Sequence, residues 1–400
     1  MRGKRGDSLK KTNVSAYLLF FITLLFWFSL YAYTSYVSPE LERMGATARF
    51  VGMVGSIYGF VQLLLRIPVG IISDKWQKKF FICLGGFCSG LSALCMLIFY
   101  HPVAFFIGRG LAGIAASCWV TFTVLYSSYF RPEDSAKSIT MLSMANSIGQ
   151  LLSFVLAGVF VAMFGIRSVF VVSAVGGFTA FTLGLFIREA DKVSGKAPVR
   201  LKDLFAVAAD RHLLSSSILA AVVQTIVWAT AMLFASVHAK SIGATPVQLS
   251  YMSIYLVVPA IVLNFLISKV LLQRIQAKWL VFMGFVCFVI YCFSLPHTTS
   301  VAQVYALQMF VGAGNALTIS LLMGGCVRDI APDRRSAAMG FYQAVYGIGM
   351  TVGPMVMGFL TDMWGRGVGF TVMGTLALCG ACACVVLLRK KPEVETKPAQ

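Results

Sequence analysis

The stretch GIISDKWQKK, residues 70–79, places four charged side chains between two long apolar runs. The run before it, residues 50–72, carries one charged side chain, Arg66, and the run after it, residues 80–100, carries none. An apolar run of roughly 20 residues is long enough to cross a bilayer as a helix. The stretch therefore predicts a hairpin of two membrane-spanning helices joined by a charged connection.

The rest of the chain repeats this pattern. Of its 400 residues, 58% are hydrophobic and only 12% are charged, and the mean hydropathy is +0.82. Soluble proteins are about a quarter charged, and the alternating segments of a membrane β-barrel are missing. The first run is followed by further spans, which indicates an anchor and not a cleaved signal peptide. Twelve spans are predicted, at 15–38, 50–73, 80–100, 102–127, 137–163, 167–187, 213–237, 247–268, 279–296, 300–326, 336–361 and 367–388.

The positions of the basic residues predict the topology. With the N-terminus inside, the inner side collects the basic N-terminus, the 70–79 connection and most other lysines and arginines. The outer side holds only Arg43, Arg49, Arg167, Lys240 and Arg366. This asymmetry follows the positive-inside rule, so both termini are predicted to be cytoplasmic in a multi-pass cell (plasma) membrane protein. The net charge of +18 is interpreted as facing anionic lipid headgroups and not nucleic acid.

Two segments of the chain are related in sequence. Residues 131–170 and 331–370 align without a gap, and identical residues recur at a spacing of 200. These pairs include Pro132/Pro332, Gly149/Gly349, Gly158/Gly358, Met163/Met363, Gly165/Gly365 and Phe170/Phe370. Such an alignment indicates a parallel duplication of a six-helix unit, as in many transporters. The predicted domains are an N-terminal bundle at 1–187, a polar cytoplasmic linker at 188–212 and a C-terminal bundle at 213–400 with a short tail.

With twelve spans, a 6+6 repeat and a long central linker, the chain resembles the major facilitator superfamily. The resemblance implies an all-α membrane protein of twelve transmembrane helices in two pseudo-symmetric six-helix bundles. Its most specific element is the opening stretch, which is similar to the family's signature between the second and third helices. The matching residues are Gly70, Asp74, Lys75, Lys78 and Lys79. The stretch departs from the signature at Gln77, where the family usually has glycine.

The resemblance implies that this connection latches the two halves when the inner gate is closed. Gly70 is expected to let another helix approach closely, and Asp74 to meet the opposite half near Gly358 and Asp362. In the second half, VLLQRIQAKW from Val270 places Arg274 at the position of Asp74, so the latch is expected to be one-sided. The alternative interpretation is that the lysines only obey the positive-inside rule.

Small residues predict close helix packing in the fourth, fifth and eleventh spans. The fourth-span residues Arg109, Gly113 and Ser117 follow a spacing of four and resemble the family's pattern there. The eleventh span carries a Gly-Pro pair that the family's exporters typically show in the fifth span, where this chain has Ser153 and Phe154. The predicted packing residues are Gly113, Ser117, Gly149, Gly158, Gly349, Gly353, Pro354 and Gly358.

Charged side chains inside the membrane indicate a functional site by default. Arg109 lies well inside the fourth span, although its side chain could instead snorkel to the headgroups, and Arg66 is interior in the second. By resemblance, spans 1, 4, 7 and 10 line the substrate path at the midplane. The candidate cavity residues are Trp27, Tyr31, Thr34, Arg109, Thr121, Gln224, Trp228, Gln308, Asn315 and Tyr346. Each of them could equally make a helix–helix hydrogen bond.

All fifteen acidic residues fall in loops, tails or helix ends, so no carboxylate is predicted at the midplane. A buried cationic substrate would then lack a counter-charge. The leading hypothesis is a secondary transporter that exports neutral or anionic amphipathic compounds by alternating access. The alternative is an uptake or exchange carrier for a small organic anion such as a carboxylate. A sensor or scaffold and an enzyme are disfavoured, because neither an appended domain nor a catalytic constellation is visible.

The expected partners follow from this hypothesis. They are a small-molecule substrate, a coupling proton or counter-substrate where transport is coupled, and the lipid bilayer around a monomer. No cofactor or metal site is predicted: the cysteines lie almost entirely inside apolar runs, and the histidines do not join carboxylates at metal-binding spacing.

Overall fold

The structure is a computed structural model that describes residues 2–131, 134–189, 210–326, 330 and 334–388. Within these ranges every regular element is helical. Eleven of the described helices are long and apolar enough to cross a membrane, and a twelfth apolar helix, Ser168–Gly184, has 17 residues. The predicted all-α fold is therefore confirmed. The predicted linker lies mostly outside the described residues, so the domain boundaries stay a prediction.

The first half contains six helical spans. They are α1 (Arg2–Tyr31, with a distal segment Thr34–Arg43), α2 (Ala48–Lys75), α3 (Lys78–Phe99), α4 (Pro102–Ser117, continued by Trp119–Ser128), α5 (Ser135–Phe164) and α6 (Ser168–Gly184). We call the end of the molecule that holds residues 44–47 and 165–167 the distal end. The proximal end holds the 70–79 connection.

The second half repeats this order. Its spans are α7 (Arg211–Ala229, Thr230–Phe234 and Ala235–Ser241), α8 (Pro246–Leu266, Ile267–Leu271 and Leu272–Arg274), α9 (Ala277–Ser294), α10 (Val301–Asn315, Ala316–Ser320 and Leu321–Gly325), α11 (Arg335–Trp364) and α12 (Arg366–Leu387). The middle pieces of α7, α8 and α10 are π-helical turns. Among the described helices of the first half no π turn occurs.

The distal helix ends follow from local sequence. Thr47 caps α2 by accepting a hydrogen bond from the Phe50 amide, and Thr245 and Ser300 form capping boxes at α8 and α10. Such caps satisfy amides that have no partner within the helix. Helices α5 and α11 each stop at a glycine with positive φ, Gly165 at 78° and Gly365 at 87°, a conformation in which glycine costs least.

Equivalent helices make equivalent contacts in the two halves. Helix α5 packs on α1 as α11 packs on α7, and α3 packs on α6 as α9 packs on α12. A Cβ at Gly149 would lie 2.4 Å from the carbonyl oxygen of Leu24, and one at Gly349 would lie 2.1 Å from that of Ala221. Two equivalent seams join the halves, α2 with α11 and α5 with α8. This pseudo-symmetry confirms the repeat read from the sequence.

We expect Gly349→Ala to destabilise the protein, because its Cβ would overlap the α7 backbone at Ala221. Overpacking of this kind costs about 1–3 kcal/mol. Gly324→Ala in α10 is the matched control, since a Cβ there meets none of the described residues within 4 Å. Thermal unfolding of the purified protein in detergent measures both. Equal melting temperatures for the two variants would contradict the close approach.

Candidate functional site

The two halves meet at the distal end through polar contacts made by the distal segment of α1. The Lys240 ammonium of α7 donates to the Pro39 carbonyl at 2.7 Å. The hydroxyl oxygens of Ser35 and Ser253 lie 3.0 Å apart, and the Tyr36 hydroxyl is hydrogen-bonded to Ser250. Because these bonds join α1 to α7 and α8, this end of the space between the halves is closed.

A buried carboxylate fastens the same segment to its own half. Glu40 is 1% exposed and accepts hydrogen bonds from the Tyr100 hydroxyl at 2.6 Å and from Arg43 Nε at 2.8 Å. The guanidinium of Arg167 lies 4.3 Å from the centre of the Tyr100 ring. Glu40 sits near a helix end, as predicted, but its burial was not anticipated from the sequence. A carboxylate therefore does lie in the protein interior, although the sequence places every acidic residue in a loop, a tail or a helix end.

A recess lies between the halves, next to this closed end. Helices α1, α2 and α4 supply one wall and α7 supplies the other. The lining residues are Leu30, Tyr31, Thr34, Val37, Gly55, Tyr58, Arg109, Trp228, Met232 and Leu233. Four of them, Tyr31, Thr34, Arg109 and Trp228, belong to the cavity set expected from the sequence. We call this space the arginine recess.

Arg109 dominates the electrostatics of the arginine recess. Its side chain is 6% exposed, and the guanidinium lies 4.5 Å from the centre of the Tyr58 ring. Tyr58 in turn stacks on Trp228 of the other half, with centroids 5.2 Å apart and planes at 18°. Among the described residues the guanidinium makes neither a hydrogen bond nor an ion pair. A cation–π contact contributes about 0.5–2 kcal/mol, whereas burying an ion costs several kcal/mol, so the positive charge is incompletely compensated.

Other predicted cavity residues surround the recess without all entering it. Trp27 stacks on Tyr31 at 5.6 Å, and the buried Trp27 Nε1 and Thr121 Oγ1 have no hydrogen-bond partner in the described part of the chain. Tyr346 accepts a hydrogen bond from Arg66 Nη1 at 3.4 Å, across the α2–α11 seam. Gln224 and Asn315 are half-buried on α7 and α10 and do not line the recess.

Tyr58 was missed by sequence reasoning, although it bridges Arg109 and Trp228. It lies among Gly52, Gly55 and Gly59, which form a stripe of small residues on α2. A Cβ at any of these glycines would lie within 3.0 Å of an atom of the second half. The stripe was a usable signal: a tyrosine beside such a seam points toward the space between the halves.

The contact expected between the 70–79 connection and Asp362 is wrong. A Cβ at Gly358 would lie 2.9 Å from the Cα of Gly52, near the distal start of α2. Asp74 follows 22 residues later (74 − 52), about 33 Å along the helix. Asp362 is exposed at the distal end. The sequence reasoning failed because the end of α11 lies beside the start of α2, at the distal end, and not beside the 70–79 connection.

The remaining signature residues are placed as follows. The side chains of Asp74 and Lys75 lie outside the described residues. Among the described residues, a Cβ at Gly70 would meet only Val120, at an ordinary 3.8 Å, so none of the described helices approaches closely there. Lys78 and Lys79 begin α3, and the Lys79 amide donates to Glu189 Oε1 at 2.7 Å. Gln77 has φ −77°, so the turn does not require glycine.

The predicted packing residues divide by how close the neighbouring helix comes. A Cβ at Gly113 would lie 2.7 Å from the Tyr58 carbonyl oxygen. One at Gly353 would lie 2.4 Å from the Thr225 carbonyl oxygen, and one at Gly358 would lie 2.6 Å from the Ala48 carbonyl oxygen. Ser117 is buried and donates to the Ile114 carbonyl, and Pro354 lies against Gly55. At Gly158 the nearest atom is at 3.5 Å, an ordinary contact.

Comparison with known proteins supports the class that this architecture defines. The sequence profile described as Major Facilitator Superfamily matches residues 19–236 and 217–400. An uncharacterized MFS-type transporter of Methanocaldococcus jannaschii is 24% identical over 340 residues, covering 81% of this chain and 85% of its own. An uncharacterized transporter of Buchnera aphidicola subsp. Baizongia pistaciae is 24% identical over 372 residues, covering 88% and 92%.

Solved structures share the fold. A bacterial homolog of the human lysosomal transporter Spinster, in an inward-facing and occupied conformation, superposes with a TM-score of 0.79 at 15% identity, covering 97% of this chain and 99% of its own. The nucleoside transporter NupG superposes with a TM-score of 0.75 at 16% identity, covering 95% and 100%. The described part of the chain thus forms twelve helical spans in two related halves with a recess between them, which agrees with the class of membrane transporter that the family profile gives. The chain belongs to the Major Facilitator Superfamily.

Proposed function

We propose that this transporter exports small neutral or anionic amphipathic molecules by alternating access, with the arginine recess as the binding site. The observation that carries the proposal is Arg109, a buried guanidinium without a described anionic partner, beside the stacked rings of Tyr58 and Trp228. An anionic group on the substrate would supply the missing counter-charge. The rings would bury its apolar part.

The same observation supports a second candidate, an uptake or exchange carrier for a small organic anion. The two candidates differ in direction and coupling and not in the binding chemistry. Proteoliposomes with imposed pH and Na⁺ gradients separate them. Export requires that the driving gradient moves substrate from the proximal to the distal side. Uptake requires movement in the opposite direction, and exchange requires a trans substrate and no gradient.

The substrate is expected not to be a permanent cation. Arg109 and Arg66 both repel one, and aromatic rings offset only about 0.5–2 kcal/mol each. A matched trio tests this: 3-phenylpropanoate, its neutral amide, and 3-phenylpropyl-trimethylammonium. We expect measurable transport of the first two compounds and none of the third.

The third compound also defines the contrary result. Gradient-driven transport of the quaternary ammonium at the rate of the carboxylate, surviving in Arg109→Gln, would overturn the electrostatic argument. A passive leak is distinguished by liposomes without protein.

We further propose that both termini face the cytoplasm and that the 70–79 connection helps to gate the proximal side. The charge asymmetry supports the orientation. A cysteine appended to the C-terminus should react with a membrane-impermeant maleimide only after the cells are permeabilised, above the background of the unmodified chain. Labelling in intact cells would reverse the assignment and place the distal end inside.

A further inference from the structure

A second recess adjoins the arginine recess on the side of the second half. It lies between the distal segment of α1 and helices α5, α7, α8 and α10. Thr34 and Met232 line both recesses, so the two recesses adjoin each other. Of the lining residues in the described part of the chain, none is charged. Its most buried polar side chain is Gln308, and we call this space the glutamine recess.

Gln308 is 1% exposed, and its Oε1 has no hydrogen-bond partner among the described residues. Leaving a buried acceptor unpaired costs as much as a lost hydrogen bond or more. Because Gln308 lines the glutamine recess, a molecule bound there is a candidate partner for this atom. The amide therefore marks a place where a bound molecule completes the hydrogen bonding.

The neighbouring hydroxyls define which partner fits. Thr34 already donates its proton to the Tyr31 carbonyl at 2.8 Å, and Ser236 donates to the Leu233 carbonyl at 3.0 Å. Ser35 and Ser253 share one hydrogen bond with each other. These groups keep free lone pairs but have at most one proton left among them. Beside the unpaired Gln308 Oε1, these hydroxyls thus add mainly acceptors, while the Gln308 Nε2 keeps its own N–H donors.

The duplication relates Gln308 to Arg109. Arg109 lies seven residues after Pro102, where α4 begins (109 − 102), and Gln308 lies seven after Val301, where α10 begins (308 − 301). Both side chains therefore sit about 10 Å inside the distal end of equivalent helices. The pseudo-symmetry places a cation in one half against a neutral amide in the other, at the same depth.

We propose that the glutamine recess is a second binding subsite, which selects substrates that carry a neutral hydrogen-bond donor, a hydroxyl or an amide N–H, at the end remote from their anionic group. This inference rests on the proposed function, because Arg109 holds the anion. A cationic donor is disfavoured, since neither recess is lined by a described carboxylate and Arg109 adds repulsion. The substrate class is therefore a small organic anion with a hydroxyl or amide at its far end.

Three probe series test the proposal with the purified full-length protein. They are benzoate, phenylacetate and 3-phenylpropanoate, each unsubstituted, para-hydroxylated and para-methoxylated, with binding followed by quenching of tryptophan fluorescence. The methoxy compounds match the hydroxyl compounds in shape but cannot donate. We expect the best hydroxylated probe to bind about tenfold more tightly than its methoxy partner, the value of one well-made hydrogen bond.

Two variants separate this subsite from the anion site. Gln308→Leu should abolish the preference for the hydroxyl while keeping the affinity for the unsubstituted acid, and Gln308→Glu, which keeps an acceptor but adds a negative charge, should weaken every acid. Arg109→Gln should weaken all the acids alike and keep the hydroxyl preference. Retention of the hydroxyl preference in Gln308→Leu overturns the subsite and leaves the anion site standing. Unchanged affinities in Arg109→Gln, or failure of the wild type to bind any acid, overturn the proposed function and the subsite with it.

Discussion

Replacing Arg109 with glutamine is expected to reduce transport of 3-phenylpropanoate by about thirtyfold or more, because loss of a buried charged partner costs about 2 kcal/mol or more. Glutamine keeps a hydrogen-bond donor but removes the charge. Initial uptake rates into proteoliposomes measure the effect. The neutral amide of the same compound should lose much less, since it does not use the charge.

Arg49→Gln is the matched control. Arg49 also lies over an aromatic ring, 5.6 Å from the centre of Phe359, but it is exposed at the distal end. Its loss should leave transport of both compounds near the wild-type rate. Arg109→Lys, which keeps the charge without the planar guanidinium, should retain part of the activity. If Arg109→Gln transports the acid at the wild-type rate, the arginine recess does not bind the anion.

A disulfide between Ser35→Cys and Ser253→Cys is expected to abolish transport until it is reduced. The two hydroxyl oxygens lie 3.0 Å apart across the halves, so sulfur atoms at these positions come within reach of an S–S bond of about 2.0 Å. The bond would hold the distal end closed. Alternating access requires that end to open, so a locked protein cannot complete a cycle.

The oxidised double variant should regain transport in dithiothreitol. The chain carries ten free cysteines of its own, so each single variant is oxidised in parallel as a control. The locked protein should still bind substrate from the proximal side, which separates loss of opening from loss of folding. Full activity of the cross-linked protein would show that the distal contacts persist throughout transport.

The sequence predicted the helices because each span is a local apolar run, which needs no knowledge of neighbours. It predicted that the charge of Arg109 lies inside a span for the same reason, because the arginine falls within such a run. The burial of Glu40 could not be predicted, since it depends on Tyr100, 60 residues away (100 − 40) in another connection. The bridge from Arg109 through Tyr58 to Trp228 joins three helices and both halves, and no spacing within one helix encodes it.

The π-helical turns explain why the duplication is visible in only part of the sequence. Equivalent positions differ by 197 at Leu24 and Ala221 (221 − 24), which make the same contact with α5 and α11. The difference is 198 at the caps Thr47 and Thr245, 199 at Gln77 and Gln276, and 200 at Gly165 and Gly365. One π turn lies within each interval, in α7, α8 and α10.

Each π turn thus accommodates one residue that the first half lacks. A helix that takes in one extra residue as a π turn keeps its two ends in place. Every later residue number then shifts by one relative to the first half. The counterpart of Asp74 is therefore Gln273 and not Arg274, as a constant spacing of 200 had suggested. The second half thus holds three extra residues within α7, α8 and α10, and only positions that follow all three π turns, as in α11 and α12, differ by 200 from their counterparts in α5 and α6.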